Sequence, residues 1–164
     1  MELYEAYIET PLGVTRIAGS ETGLTAVYIL DPASDTAATP PDEIAGVLQP
    51  AADQLREYFA GKRREFDLSL QFQGSTFQQS VWRELLTIPY GRTITYTDLA
   101  RRLGYMKALR AVAAANGQNR FWIVVPCHRV IGRDGSLVGY AGGLWRKKWL
   151  LEHESPYRQQ SLFG

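Results

Sequence analysis

The chain has 164 residues, 45% hydrophobic and 21% charged, a size that fits one ordinary domain or two small ones and a composition that excludes collagenous and disordered chains. Its longest apolar run, Phe121–Val125, is too short to cross a bilayer; one cysteine forbids an intrachain disulfide, and two histidines beside it are too few for a structural zinc site. The net charge of +1 hides an asymmetry, because residues 1–67 carry 12 acidic and 5 basic side chains while residues 68–164 carry 5 acidic and 13 basic. That split fits a polyanion-binding second half, or two domains that attract one another. The start, Met1-Glu2-Leu3-Tyr4-Glu5, is acidic and lacks the basic and apolar stretches of a signal peptide. A cytoplasmic chain with no membrane partner is expected.

In chain order, Tyr4–Thr10 carries aromatic and β-branched residues, Thr10-Pro11-Leu12-Gly13 has turn chemistry, and Val14–Ala18 resumes the pattern, which predicts a hairpin. Leu24–Leu30 predicts a third strand. The small, polar, proline-bearing stretch Asp31–Asp42 predicts a loop. Ile44, Val47, Leu48, Leu55, Tyr58 and Phe59 recur at helical spacing up to Gly61, with Pro50 placed at a helix start. Phe66, Leu68 and Leu70 alternate as in one more strand.

A second unit is expected from Gly74. Thr76 and Gln79 suggest a capping box, followed by a helix with Phe77, Val81, Trp82, Leu85 and Leu86 on one face and Pro89 and Gly91 as its stop. Two short helices, Thr97–Leu103 and Lys107–Ala115, are separated by Gly104 and two further residues, a spacing that suits a helix-turn-helix. The second is rich in alanine around one long cation, Arg110, and suits either close approach to another surface or tight core packing. The expected domains are 1–73 (an α/β structural unit), 74–154 (mostly helical) and a polar tail, 155–164.

Phe121–Val125 reads as a buried strand that delivers the chain to Pro126-Cys127-His128-Arg129-Val130. A lone cysteine is either a small buried hydrophobe or a nucleophile, and a nucleophile needs a base or positive charge beside it. His128 and Arg129 supply both types. On a strand, however, adjacent side chains point to opposite faces, so a turn at Pro126 is required to bring Cys127 and His128 together. Glu152 and Glu154 are the candidates to orient the base.

Pro126-Cys127-His128-Arg129-Val130, with Gly139-Tyr140-Ala141-Gly142-Gly143 and Trp149-Leu150-Leu151-Glu152-His153-Glu154 after it, resembles the O6-alkylguanine-DNA alkyltransferases. Pro89-Tyr90-Gly91-Arg92, Thr95–Ala100, Arg110-Ala111-Val112 and Ala115–Asn119 extend the resemblance upstream. It implies an α+β fold, a small N-terminal sheet with a helix (ribonuclease-H-like) before a mostly helical domain with the helix-turn-helix, and a monomer without cofactor or metal. It also implies that Cys127 takes the alkyl group from O6 of guanine in double-stranded DNA and is not regenerated.

By the same resemblance Cys127 reaches His128 through a water, and Glu154 holds His128. Tyr96 bonds the base at N3 and Asn119 braces the active-site turn. The carbonyls of Cys127 and Val130 accept the guanine amino group, the Ala141 amide faces O6, and Tyr140, Gly142 and Trp122 join the pocket. The base must leave the stack to be reached. Arg110 then fills the gap, with Lys107, Ala111, Ala114, Thr95, Tyr96 and Arg129 on the DNA side. The chain departs from the family at Arg120, Phe121 and Trp122, where small or branched residues are common, and a bulky Trp122 bears on the size of alkyl group accepted. Rival expectations are a non-catalytic protein that flags alkylated DNA and a cysteine hydrolase. The tail Gln159-Gln160-Ser161-Leu162-Phe163 resembles, at four of five positions, a peptide that docks on the replication sliding clamp.

Overall fold

The computed structural model describes residues 1–156; the clamp-like segment Gln159–Phe163 lies outside them. The chain divides into two compact units, Met1–Gln73 with Arg120–Val124, and Gly74–Asn119 with Val125 onward. Among the described residues no helix is long and apolar enough to cross a membrane.

The first unit is built on an antiparallel sheet of β1 (Tyr4–Thr10), β2 (Gly13–Ser20) and β3 (Gly23–Ile29), in that order. The hairpin register pairs Tyr4 with Gly19 and Thr10 with Gly13. At the bulge between Ala18 and Gly19 a Cβ on Gly19 would lie 2.7 Å from the Gly23 carbonyl oxygen, so only glycine lets the strands approach there. Ala6, Ile8, Ile17, Val27 and Ile29 point inward. The helix α1 (Gln49–Phe59), with Pro50 in its first turn as expected, buries Ala52, Leu55 and Tyr58. Leu48 and Leu55 are fully buried, each contributing roughly 1.5–3 kcal/mol.

Two expected strands are reduced to single bridges on β3. The 66–70 run meets it only where Leu24 exchanges hydrogen bonds with Ser69 and Gln71, each 2.8 Å. Phe121 sits opposite Val27, whose N–H donates to Arg120 and whose carbonyl accepts from Trp122, again at 2.8 Å. These bonds tie Arg120–Val124 to the first unit rather than to the second. The chain then turns: Val124 N–H donates to the Trp122 carbonyl around Ile123, which has φ 76°, a conformation costly for a β-branched residue and incompatible with a continuing strand.

The second unit packs α2 (Thr76–Leu85), α3 (Tyr96–Leu103) and α4 (Leu109–Gly117) on one another around Val81, Trp82, Leu85, Leu99, Ala100, Val112 and Ala115. The Trp82 indole donates to the Ala115 carbonyl at 2.8 Å, so the largest side chain at this junction is buried without losing its polar partner. The capping box of α2 is formed by Ser75 and Gln78, one residue before the expected pair; a second, Thr95 with Asp98, starts α3. Gly104, with φ 75°, ends α3 in the left-handed conformation, and a short 3-10 turn, Met106–Ala108, leads into α4. Ile94–Thr95 (β4) and Val130–Ile131 (β5) pair in parallel, which ties the start of α3 to the segment after Cys127. The last element, α5 (Leu144–Glu154), buries Lys147, Leu150, His153 and Glu154.

Candidate active site

Pro126 has φ −81° and ψ 62°, and the Cys127 N–H donates to the Val125 carbonyl at 2.8 Å across it, an inverse γ-turn. Cys127–Arg129 then forms one turn of 3-10 helix. With three residues per turn, successive side chains diverge by roughly 120° rather than to opposite faces, so the proline supplies the turn that a strand would have denied. Cys127 (5% exposed), His128 and Arg129 are all buried.

Glu154, from the last turn of α5, meets two of them. His128 Nε2 lies 2.8 Å from Glu154 Oε2, and Arg129 clamps the same carboxylate with Nε to Oε1 at 2.7 Å and Nη2 to Oε2 at 3.0 Å. Arg129 also donates from Nη1 to the Ile88 carbonyl at 2.6 Å and lies over the Tyr90 ring. Burial pushes the Glu154 carboxyl up, but His128 and Arg129 overcome it and hold the group well below the usual carboxylate range, so it is ionised. Burial lowers the His128 pKa against the opposing pull of Glu154. A neutral ring donates Nε2–H to the carboxylate and leaves Nδ1 basic. Nδ1 is enclosed and meets no hydrogen-bond partner among the described residues. Removing Arg129 would leave a buried carboxylate without its clamp, at a cost of about 3–5 kcal/mol.

These bonds correct the expectation for Arg129. Arg129 is buried, and its guanidinium is held by the Glu154 carboxylate and the Ile88 carbonyl inside the protein, where a phosphate of DNA would not meet it. It belongs to the support of His128, not to a DNA-facing surface.

The thiol itself is pushed up to about 11 by burial, against a hydrogen bond from Asn119 and the charge of Lys147, both of which lower it. At neutral pH it is therefore a protonated thiol that needs a base. Asn119 also donates from Nδ2 to the Val125 carbonyl at 2.9 Å, bridging the two ends of the γ-turn. Tyr96 is half-buried and donates its hydroxyl to the Val138 carbonyl at 2.7 Å. Its pKa is raised by burial and by the nearby thiol, with Asn116 pulling the other way. The Tyr140 hydroxyl is enclosed, and burial first and Cys127 second raise its pKa well above the ordinary value.

Ala141 is exposed and Gly142 buried, in the segment between β5 and α5. That segment is pinned through its carbonyls: Lys147 Nζ donates to Val138 at 3.2 Å and Gly139 at 3.1 Å, and Arg146 Nη1 donates to Gly142 at 2.9 Å. Val130 is buried in β5. Thr95 caps α3, its hydroxyl accepting from Asp98 N–H at 3.0 Å. Lys107, Arg110, Ala111 and Ala114 are exposed, the last three on one face of α4. Trp122 packs in the first unit, with the Tyr28 ring edge-on at 6.4 Å.

Two residues of the site were not anticipated. Lys147 is fully buried, with Nζ 5.6 Å from the Tyr96 ring centre, and burial lowers its pKa to about 8 against the opposing effect of Cys127. Asn116 is buried, its Nδ2 donating to the Cys127 carbonyl at 3.4 Å. Helical spacing carried the signal for both. Lys147 falls in one stripe with Leu150 and Glu154, and Asn116 with Val112 and Ala115, so each is a polar residue on a buried face.

Residues 76–156 match the DNA-binding domain of the 6-O-methylguanine DNA methyltransferase family, and residues 3–72 match its ribonuclease-like domain. The chain is 46% identical over 147 residues to the methylated-DNA-protein-cysteine methyltransferase of Mycobacterium bovis, covering 90% of this chain and 89% of that one. With its counterpart from Methanosarcina barkeri the identity is 45% over 154 residues, covering 93% and 97%. The crystal structure of Mycobacterium tuberculosis O6-methylguanine methyltransferase is similar with a TM-score of 0.81 and 41% identity, covering 99% of this chain and all (100%) of that one. A crystal structure of the Mycobacterium tuberculosis OGT in complex with DNA is similar with a TM-score of 0.80 and 46% identity, covering 96% and 98%. With both domains matched and these identities over nine-tenths or more of its length, the chain belongs to the 6-O-methylguanine DNA methyltransferase family.

Proposed function

We propose that the protein repairs double-stranded DNA by moving the alkyl group of O6-alkylguanine onto Cys127, once per molecule, with the damaged nucleotide turned out of the duplex. The observation that carries this reading is a buried cysteine followed in the same 3-10 turn by a buried histidine whose ring is bonded to Glu154, in a member of this family. His128 Nδ1 takes the thiol proton through a bridging water. As the Sγ–carbon bond forms, the carbon–O6 bond breaks and its electron pair passes to the guanine. Tyr96 supplies a proton at N3 and thereby neutralises the leaving base, and the Lys147 ammonium beside the Tyr96 ring stabilises the charge left on the phenol oxygen. The product is a thioether, and no group of the site is placed to cleave it. The thiol is therefore consumed.

Asn119 positions the turn. The exposed face of α4 with Arg110, Ala111 and Ala114, together with Lys107 and Thr95, meets the DNA, and Tyr140, Gly142 and the backbone at Ala141 and Val130 line the base pocket. The tail Gln159–Phe163 adds a docking peptide for a sliding clamp, a reading supported by its sequence pattern.

The test is intact and peptide mass measurement after incubation with a duplex containing O6-methylguanine. One methyl group on Cys127, absent in Cys127→Ser, is the expected result. Binding without a mass change would favour a lesion-flagging protein, and repeated turnover a hydrolase; either outcome rejects the proposal.

A further inference from the structure

The side chains of Tyr96, Lys147 and Arg146 hold the segment 138–143 through its carbonyls. Tyr96 donates to Val138 at 2.7 Å, Lys147 to Val138 and Gly139 at 3.2 and 3.1 Å, and Arg146 to Gly142 at 2.9 Å. In the proposed transfer Tyr96 gives up its Val138 bond to reach the base, and Lys147 answers the charge left on the phenol. Arg146 has no part in that proton path, so its bond to the segment can persist unchanged while the alkyl group moves.

The Arg146 bond completes the fixing of one peptide group. The Gly142 carbonyl accepts from Nη1, and the N–H of the same peptide, on Gly143, donates to the Tyr140 carbonyl at 2.9 Å, closing the four-residue turn Tyr140–Gly143. Gly143 has φ 90°, a conformation open to glycine, whose backbone freedom makes the turn depend on an anchor. Arg146 is 8% exposed while its neighbour Trp145 is 56% exposed, and the Trp145 ring lies over the guanidinium with Cζ 4.6 Å from the ring centre. A charge-assisted hydrogen bond shielded from water in this way is stronger than one in solvent. The same charge acts on the other end of the turn, where burial raises the Tyr140 hydroxyl pKa and Arg146 works against it.

We infer that Arg146 is a positioning residue for the transfer: by holding the Gly142–Gly143 peptide it fixes the Tyr140–Gly143 turn as a wall of the base pocket, with Trp145 as the cover of that bond. This rests on the function proposed above, in which Tyr140, Ala141 and Gly142 line the pocket. Without the anchor the turn moves, and a base that enters is held less often in line with the thiol; a misplacement of about 1 Å can cost about a hundredfold in rate. Cys127, His128 and Glu154 lie outside the turn and keep their geometry.

The experiment measures second-order rate constants for methylation of Cys127 by a duplex carrying O6-methylguanine, by the free base O6-methylguanine and by methyl iodide. Methyl iodide needs the thiol but no base pocket: the Sγ–carbon bond forms, iodide leaves with the electron pair of its bond, and the thiol proton passes to solvent. In Arg146→Met, which keeps the apolar stem and loses the donor, both base reactions are expected to slow by about tenfold or more while methyl iodide reacts within about twofold of the parent rate. Arg146→Lys, which keeps one donor for the Gly142 carbonyl, is expected to bring the base reactions back to within about threefold of the parent. Unchanged base rates in Arg146→Met overturn the inference. So does an equal loss on methyl iodide, which would mean that Arg146 supports the surroundings of the thiol and not the pocket. Should the methionine variant not fold, Trp145→Ala decides, because its side chain is exposed: with the cover gone, the base reactions are expected to slow by about threefold and methyl iodide to react as before. Unchanged base rates in that variant overturn the inference as well. A parent labelled by methyl iodide and by neither base rejects the proposed function, and this inference with it; the other outcomes leave that function standing.

Discussion

Cys127 and His128 are both held in their neutral forms by burial, a pairing that favours moving a proton only when a substrate is present. A thiol near 11 beside a histidine below its ordinary value has a negligible thiolate population at neutral pH, and this protects a reagent that can be used once. It also predicts a pH profile. If His128 removes the proton during transfer, the rate requires neutral His128 and protonated thiol, so it stays flat from about pH 6.5, the ordinary histidine value, up to pH 8. Below that range His128 gains a proton and the rate falls; because its pKa is lowered, the fall starts below the ordinary value. Above about pH 8 Lys147 loses its proton, and with it the positive charge that favours a thiolate, so the rate falls again. Single-turnover rates across pH 5 to 9 decide the matter. A tenfold rise per pH unit through the neutral range would show that preformed thiolate is the nucleophile and that His128 takes no part.

At the scale of elements, the helix pair does its work through what it leaves on the outside. α3 and α4 spend their apolar faces on α2, with Leu99, Ala100, Val112 and Ala115 inside, and the remaining face of α4 presents Arg110 between small side chains. Alanines let a helix backbone approach a groove closely, and one long cation reaches further than its neighbours. Arg110→Ala is therefore expected to lower the rate on duplex O6-methylguanine by about tenfold or more, since unstacking a base costs a few kcal/mol that the arginine helps to recover. On the free base O6-methylguanine, which needs no extrusion, the rate should not change. An equal loss on both substrates would place Arg110 in support of the fold instead. The periodicity of these helices was legible because their buried positions repeat every three to four residues. The strands expected at 66–70 and 121–125 were not, because a short apolar run is compatible with any buried segment, and here tertiary contacts with β3 take only one residue from each.

For the whole molecule, the opposite charge of its halves follows the two matched domains: the acidic part covers the ribonuclease-like domain, and the basic part carries α4 and Cys127. The tail beyond them is predicted to act independently of the chemistry. Deleting Gln159–Gly164 should abolish capture by an immobilised sliding clamp and leave repair of a free oligonucleotide unchanged; equal capture of both forms rejects a docking role. Cys127 and His128 were legible from their succession after Pro126, and the hairpin, the glycine that stops α3 and the order of the helices from local spacing, whereas Tyr96, Asn119 and the choice of Glu154 over Glu152 came from the resemblance to the family. Arg129 was misassigned and Lys147 and Asn116 were overlooked for one reason. Whether a cation points to solvent or to a buried carboxylate, and whether a lysine or an amide on a helix faces outward or toward a thiol, depends on partners 25 or more residues away for Arg129, or 11 and more for Asn116. The sequence by itself determined which side chains were available for the chemistry. Only tertiary structure decided their charge states, because burial is what keeps the thiol protonated and, against the opposing pull of Glu154, the histidine neutral.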